Sequence, residues 1–316
     1  MLDFHQLVQI LPQQLVFGIT LGMIYGLIAL GYTMVYGVLF MINFAHGDVF
    51  MIGAYVGWAV LVAITNEQIV PLNPIFVLPL MLVPAMLFTG AIGLGLERFV
   101  YRPLYLKGAT RLGPLISAVG ASIFLQNAVM LSQGARMKVV MTYRLFPRVW
   151  RFDLFGVNIS YLVVVIAVVS GAMMWGLYIL VQKTTLGRSI RAVAEDREIA
   201  AVMGVNVWGV VSTTFLIGSS LAGAAGVLVG LYYTQIDFSM GYSAGLKAFT
   251  AAVLGGIGNI RGAMLGGVLL GIIESLASTF IDPAFKDAIS FGVLILVLVF
   301  RPGGILGESL PEWRRV

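Results

Sequence analysis

Long apolar stretches alternate with short charged ones along the whole chain. Apolar runs cover roughly residues 15–42, 47–65, 75–96, 112–132, 159–181, 209–233, 244–258, 262–281 and 286–300. A helix needs about 20 apolar residues to cross the hydrocarbon of a bilayer. Most of these runs meet that length. The first has room for one tilted helix, or for a helix plus a short second one, and 244–258 is short for a full crossing. The runs are continuously apolar and do not alternate, which excludes a β-barrel. The pattern predicts an all-α polytopic membrane bundle of about 8–10 transmembrane segments, forming a single domain over residues 1–316.

Composition agrees with the pattern. Of 316 residues, 59% are hydrophobic and 10% charged, and the mean hydropathy is +0.98. That is too little charge to cover a soluble domain. Cysteine is absent, so no disulfide framework or thiolate metal site exists. Histidine occurs only at positions 5 and 46, which argues against a histidine-rich metal centre, and no metal site is expected. Met1–Gln14 lacks a basic n-region and a small-residue cleavage site, so the first apolar run is read as a retained anchor.

The net charge of +5 sits in the linkers, where it reports topology rather than nucleic-acid binding. Residues 97–111 carry Arg98, Arg102, Lys107 and Arg111, residues 183–209 carry Lys183, Arg188, Arg191 and Arg197, and the tail carries Arg301, Arg314 and Arg315. Two spans separate the first two loops, so both fit the cytoplasmic side. The stretch at about 134–158 is also basic, with Arg136, Lys138, Arg144, Arg148 and Arg151, yet parity places it outside. Its β-formers, Pro147 and Gly156 suggest a small folded hairpin.

Two polar interruptions break the apolar pattern. Within "MINFAHGDVFMIGAY" stand Asn43, His46, Gly47 and Asp48. A carboxylate at mid-membrane costs at least about 2.5–3.5 kcal/mol on insertion scales. Asp48 is read either as the cap of a helix from Val49 onward, at a short cytoplasmic-side turn, or as part of an unwound segment lining a cavity. The second interruption is "AAVLGGIGNIRGAMLGG", with Gly255, Gly256 and Asn259 at its centre. Paired interruptions in two halves point to a pathway between structural repeats, so an internal two-fold repeat is possible. Close helix packing is the competing reading, and it suits Gly262, Gly266 and Gly267 better than Gly255, Gly256 and Gly258. No G-x-x-x-x-G-K-[ST] occurs in the chain. If ATP drives any process here, a separate chain binds it.

The loop at about 183–209 contains "LGRSIRAVAEDREIAAVMGVNV". It reads as two short helices. Asp196 is placed to cap the second, Arg197–Met203, with Glu198 in its first turn and Gly204 just past its end. Ile199, Val202 and Met203 give that helix an apolar side fit for a partner's groove.

"EIAAVMG" (Glu198–Gly204) resembles the E-A-A-x-x-x-G coupling motif of ABC importer permeases, with Ile199 in place of the first Ala. Together with "GLIALGYTMVYGVLFMINFAHGDVFMIGAY" and "GLKAFTAAVLGGIGNIRGAMLGG", it makes the chain similar to LivH-type permeases of branched-chain amino-acid importers, over about Leu15–Leu306. The resemblance implies a bacterial inner-membrane permease subunit that is not itself an enzyme and holds no cofactor. It implies a second, LivM-type permease, two cytoplasmic ATPase subunits and a periplasmic binding protein delivering a hydrophobic amino acid. Glu195, Asp196, Glu198, Ala200 and Gly204 would form the coupling region. Asn43, His46, Gly47, Asp48, Gly255, Gly256 and Asn259 would lie at or near the path. Arg144, Arg148 and Arg151 are candidates for docking acidic residues of the binding protein, with lipid headgroups the competing partner. Urea, short amides or polar amino acids are alternative substrates. An ion-coupled secondary transporter would need acids such as Asp48 or Glu274 in its spans, and Glu274 is more readily read as pairing between helices.

Overall fold

The computed structural model describes residues 4–67, 73–110, 112–147, 150–154 and 157–307. Arg111, Arg148, Gly156, Arg314 and Arg315 lie outside the described residues. Helix α1 (Phe4–Leu39) is followed by α2 (Ala45–Glu67) and α3 (Pro74–Gly95). The last runs on through a π-helical stretch, Leu96–Tyr101, into α4 (Arg102–Leu106). Next come α5 (Leu112–Gln133), strands β1 (Lys138–Val139), β2 (Arg151–Leu154) and β3 (Val157–Ser160), and α6 (Tyr161–Lys183). The short α7 (Thr185–Glu195) and α8 (Arg197–Val202) lead to α9 (Val207–Tyr233) and β4 (Gln235–Ile236), then to α10 (Met240–Gly255), α11 (Ile260–Phe280) and α12 (Lys286–Phe300).

Each of the nine apolar runs is a helix. Seven are long and apolar enough to cross a membrane, and α10 and α12, with 16 and 15 residues, are shorter. Helix α1 begins at Phe4, well before its apolar run, so its first turns project beyond the apolar slab. Starts follow local chemistry. Asn73 caps α3 ahead of Pro74, Ser160 caps α6, and Asn206 caps α9, each accepting from an N–H that the first turn leaves unpaired.

The two ends of the bundle are distinguishable. Gln13 on α1 exchanges hydrogen bonds with the backbone of Asn158 in β3, at 2.9 and 3.2 Å. At the other end of the same helix, the Val38 carbonyl accepts from Arg197 of α8, and the Leu39 carbonyl accepts from Tyr105 at 2.8 Å. Gln13 and Val38 are separated by roughly 37 Å at 1.5 Å per residue, more than the hydrocarbon thickness of about 30 Å. The β2–β3 hairpin and the α7–α8 loop therefore lie on opposite membrane faces.

The centre of the bundle is α1, α2 and α9. The best 18-residue window of α9 is 83% buried, against 17% for the peripheral α5. Glycines let these backbones touch. A Cβ on Gly22 of α1 would lie 2.7 Å from the Cα of Val268 in α11, and one on Gly47 of α2 would lie 2.9 Å from the Cα of Gly245 in α10. Without a hydrophobic drive in lipid, such close backbone contact supplies the dispersion energy of association.

Candidate functional site

Asp48 does not cap a helix that starts at Val49. Helix α1 ends at Leu39, Phe40 takes a left-handed φ of 52°, and α2 already begins at Ala45, where the Asn43 carbonyl accepts from the His46 N–H at 3.0 Å. Asp48 is thus in the first turn of α2 rather than at its cap. There its charge opposes the positive end of the helix dipole, and its Oδ2 accepts from Ser122 of α5 at 2.5 Å. Asn43 Oδ1 accepts from the Tyr101 hydroxyl at 2.6 Å. The His46 ring packs against Gly31 and stands 4.7 Å from the Tyr32 ring. Gly31 lies roughly 12 Å up the helix from Leu39 at 1.5 Å per residue. The chain therefore leaves α1, folds back into the bundle and restarts as α2 inside it.

The second interruption is built from backbone. Gly256 and Gly258 have φ of 108° and 94°, conformations open to glycine. Asn259 caps α11 by accepting from the Gly262 N–H at 3.2 Å, and its amide donates to the Leu306 carbonyl at 2.8 Å. The segment after α12 bonds along the break, with Ile305 N–H donating to Leu254 O at 2.8 Å and Leu306 N–H donating to Gly255 O at 2.9 Å. Gly255 belongs with the packing glycines after all, because a Cβ there would run into the Gly262 backbone. Only Gly256 and Gly258 are required by conformation.

Both breaks meet at one narrow gap, lined by Tyr32, Tyr36, Ile42, Phe249, Ala252 and Ile257. Its walls are aromatic and aliphatic. Three of the polar groups that mark the breaks in sequence are engaged elsewhere, Asn43 with Tyr101, Asp48 with Ser122 and Asn259 with the C-terminal segment.

At the α8 end, Asp196 Oδ1 accepts from the N–H groups of Glu198 and Ile199 at 2.8 and 3.0 Å. Gly204 ends the turn with φ of 84°. Ala200 is buried against the chain's own bundle, while Ile199, Val202 and Met203 are 63%, 87% and 78% exposed. Arg197 donates to the Val38 carbonyl and lies 5.4 Å from the Tyr105 ring. Glu195 closes α7. At the far end, Arg144 and Arg151 are exposed, with Arg151 in the β2–β3 ladder opposite Ser160. The hairpin read from the sequence is present, and β1 additionally pairs with β4.

Sequence reasoning missed a charge cluster, buried at Lys247 and Glu274 and exposed at Asp287. Lys247 of α10 contacts Glu274 of α11 at 2.9 Å and Asp287 of α12 at 2.8 Å. Glu274 Oε2 also accepts from Tyr25 of α1 at 3.0 Å. Glu274 thus pairs helices, as expected, and its partner was visible only as a lone Lys in an apolar run. Glu97 in the π-helical stretch is similarly tied to Arg102 and Ser212, at 2.8 and 2.9 Å.

Comparison with known proteins places these features in a family. Residues 14–298 match the family described as the permease component of branched-chain amino acid transport systems. The high-affinity branched-chain amino acid transport permease BraD of Pseudomonas aeruginosa is 49% identical over 311 residues, covering 96% of this chain and 97% of BraD. The corresponding LivH of Escherichia coli K12 is 44% identical over 307 residues, again 96% and 97%. A probable branched-chain amino acid permease, LivM of Methanocaldococcus jannaschii, is 27% identical over 146 residues, covering 40% of this chain and 41% of LivM. No solved structure matches. This chain belongs to the permease-component family of branched-chain amino acid transport systems.

Proposed function

We propose that this chain is the transmembrane permease subunit of an ATP-binding-cassette importer in a bacterial inner membrane. It carries branched-chain or other hydrophobic amino acids delivered by a periplasmic binding protein. Two separate ATPase subunits drive it, and a second, LivM-type permease completes the path. The observation that carries this reading is α8. A two-turn helix exposes Ile199, Val202 and Met203 on the face opposite the hairpin, and Arg197 ties it to the last turn of α1.

The mechanism follows from that attachment. An ATPase groove that grips the apolar side of α8 moves the helix as a rigid body. Arg197 passes the movement to the Val38 carbonyl, at the point where α1 turns into the Phe40–Phe44 bend. Ile42 of the bend and Ile257 of the Gly256–Asn259 break line the aromatic gap together with residues of α1 and α10. Shifting one break against the other opens or closes the gap. Its aromatic and aliphatic lining suits an apolar side chain better than urea or a short amide. Glu274, held by Lys247, is neutralised, which disfavours an ion-coupled carrier that would need a free acid. Arg144 and Arg151 stand exposed on the hairpin face and suit acidic residues of the binding protein.

The test is affinity purification of the tagged chain from mild detergent, with ATPase and leucine-uptake assays on the reconstituted product. Co-purifying ATPases and a second permease, with ATP-dependent uptake, are expected. Val202→Asp is expected to lose the ATPases while the permease pair stays assembled. Transport by this chain alone, without ATP, would overturn the reading.

A further inference from the structure

A cavity of about 330 Å³ opens at the hairpin end, between α1, the end of α9, the end of α11 and the start of α12. It is separate from the gap between the two breaks, which is lined by other residues. Its volume falls at the lower end of the range for small-ligand sites, about 300–1,000 Å³. The walls are of three kinds, one of them polar: Gln14 of α1 with Ser275 and Ser278 of α11. Phe17 and Leu21 of α1 form an apolar side. Tyr232 and Tyr233, packed edge to face at 5.1 Å, form an aromatic side.

Charge around the cavity is divided as well. Lys286 lines it and makes no ion pair among the described residues. Behind Tyr233 stand Tyr25 and Glu274, members of the cluster in which one cation, Lys247, meets two carboxylates, Glu274 and Asp287. Lys247 offsets Glu274, and the second carboxylate, Asp287, is exposed and follows Lys286 in the chain. The cavity therefore has an ammonium on one wall, two tyrosines on another, amide and hydroxyl groups from Gln14, Ser275 and Ser278, and an apolar side.

We propose that this cavity is a binding site for a free hydrophobic amino acid zwitterion, on the membrane face opposite α8. The inference rests on the importer reading above and locates a substrate site within that reading. The α-carboxylate meets Lys286 in a charge-assisted hydrogen bond. The α-ammonium lies against the tyrosine rings, attracted by their quadrupoles. The side chain packs on Phe17 and Leu21. Water-soluble ions lack the apolar half of this complement, and alkanes lack the charged half.

The experiment uses the assembled importer in nanodiscs, without binding protein or nucleotide, and measures tritiated leucine binding by scintillation proximity. Wild type is expected to bind leucine saturably. Lys286→Gln should weaken binding by about tenfold or more, the scale of one lost charged hydrogen bond. Lys286→Arg should restore it, and Ser278→Leu, which fills the cavity from α11, should abolish it. Suppose the same wild-type complex imports leucine with ATP and binding protein, yet binds none in the cavity assay. Then the site is wrong and the importer reading stands. Binding that is unchanged in both Lys286→Gln and Ser278→Leu also overturns the site. So does a co-purified lipid, seen by native mass spectrometry, that is lost in Lys286→Gln while leucine binding is kept. If the wild-type complex shows no ATP-dependent leucine uptake at all, the importer reading itself has failed.

Discussion

At Asn43 and Asp48 the interrupted chain is held by side chains from other helices, Tyr101 and Ser122. At Gly256–Asn259 it is held by its own backbone, through two left-handed glycines, an asparagine cap and main-chain bonds to residues 305 and 306. The first arrangement can be released one hydrogen bond at a time, because each tie is a rotatable group reaching across a helix boundary. The second has fewer such ties, because beyond the Asn259 side chain it is held by two positive-φ glycines and by main-chain bonds, whereas the first adds side-chain ties to the backbone contact of Gly47 with α10. A bundle with one wall of each kind has a stiffer side and a more adjustable side, and the adjustable side is the one joined to α8 through the end of α1.

This contrast can be broken in order of expected effect. Gly256→Val should be the most damaging change. It combines a φ of 108° with a Cβ that would lie 2.7 Å from the Gly307 Cα, and the backbone strain alone is on the order of 1–3 kcal/mol. A sharp fall in folded yield by fluorescence-detected gel filtration is expected, and normal yield would show that this break is not backbone-determined. Asp48→Ala comes next. It removes the acceptor of Ser122 and should cut ATP-driven uptake by about tenfold, an effect of roughly 1.4 kcal/mol, while the complex still assembles. Full uptake together with full complex yield would remove Asp48 from the adjustable wall. Tyr101→Phe leaves a buried amide oxygen without its donor and should lower thermal stability by about 1–3 kcal/mol, read as the unfolding midpoint in detergent. Asn259→Ala removes a cap worth about 1 kcal/mol, partly backed by the main-chain bonds nearby. A loss larger than that of Tyr101→Phe would reverse the comparison.

The helices and the coupling loop were legible in the sequence because their determinants are local. Nine apolar runs became nine helices, and Asp196, Glu198 and Gly204 fell where capping chemistry places them. The start of α2 was misjudged for a physical reason. Asn43 and Gly47 look like helix breakers, but Gly47 is there for close approach to α10, and helical geometry already runs through His46. The depth of that bend was hidden too, since it depends on His46 packing against Gly31 rather than on neighbours in sequence. Lys247, Glu274 and Asp287 sit on three helices, so nothing in spacing or propensity couples them. The same holds for β1 and β4, whose pairing joins distant parts of the chain. The expected path asparagines were found at the breaks but turned to structural partners, leaving the gap to Tyr32, Tyr36 and Phe249.

Helix α1 runs without interruption from Gln13, at the hairpin, to Val38, at the coupling loop. On the proposed reading, one end of this rod faces the ligand and the other the ATPases, which makes the two ends thermodynamically inseparable. Whatever docks at the hairpin and prefers one setting of the rod must strengthen, by the same factor, whatever grips α8 in that setting. The importer would then sense cargo and fuel through one shared coordinate, and an assay at either face would report on both.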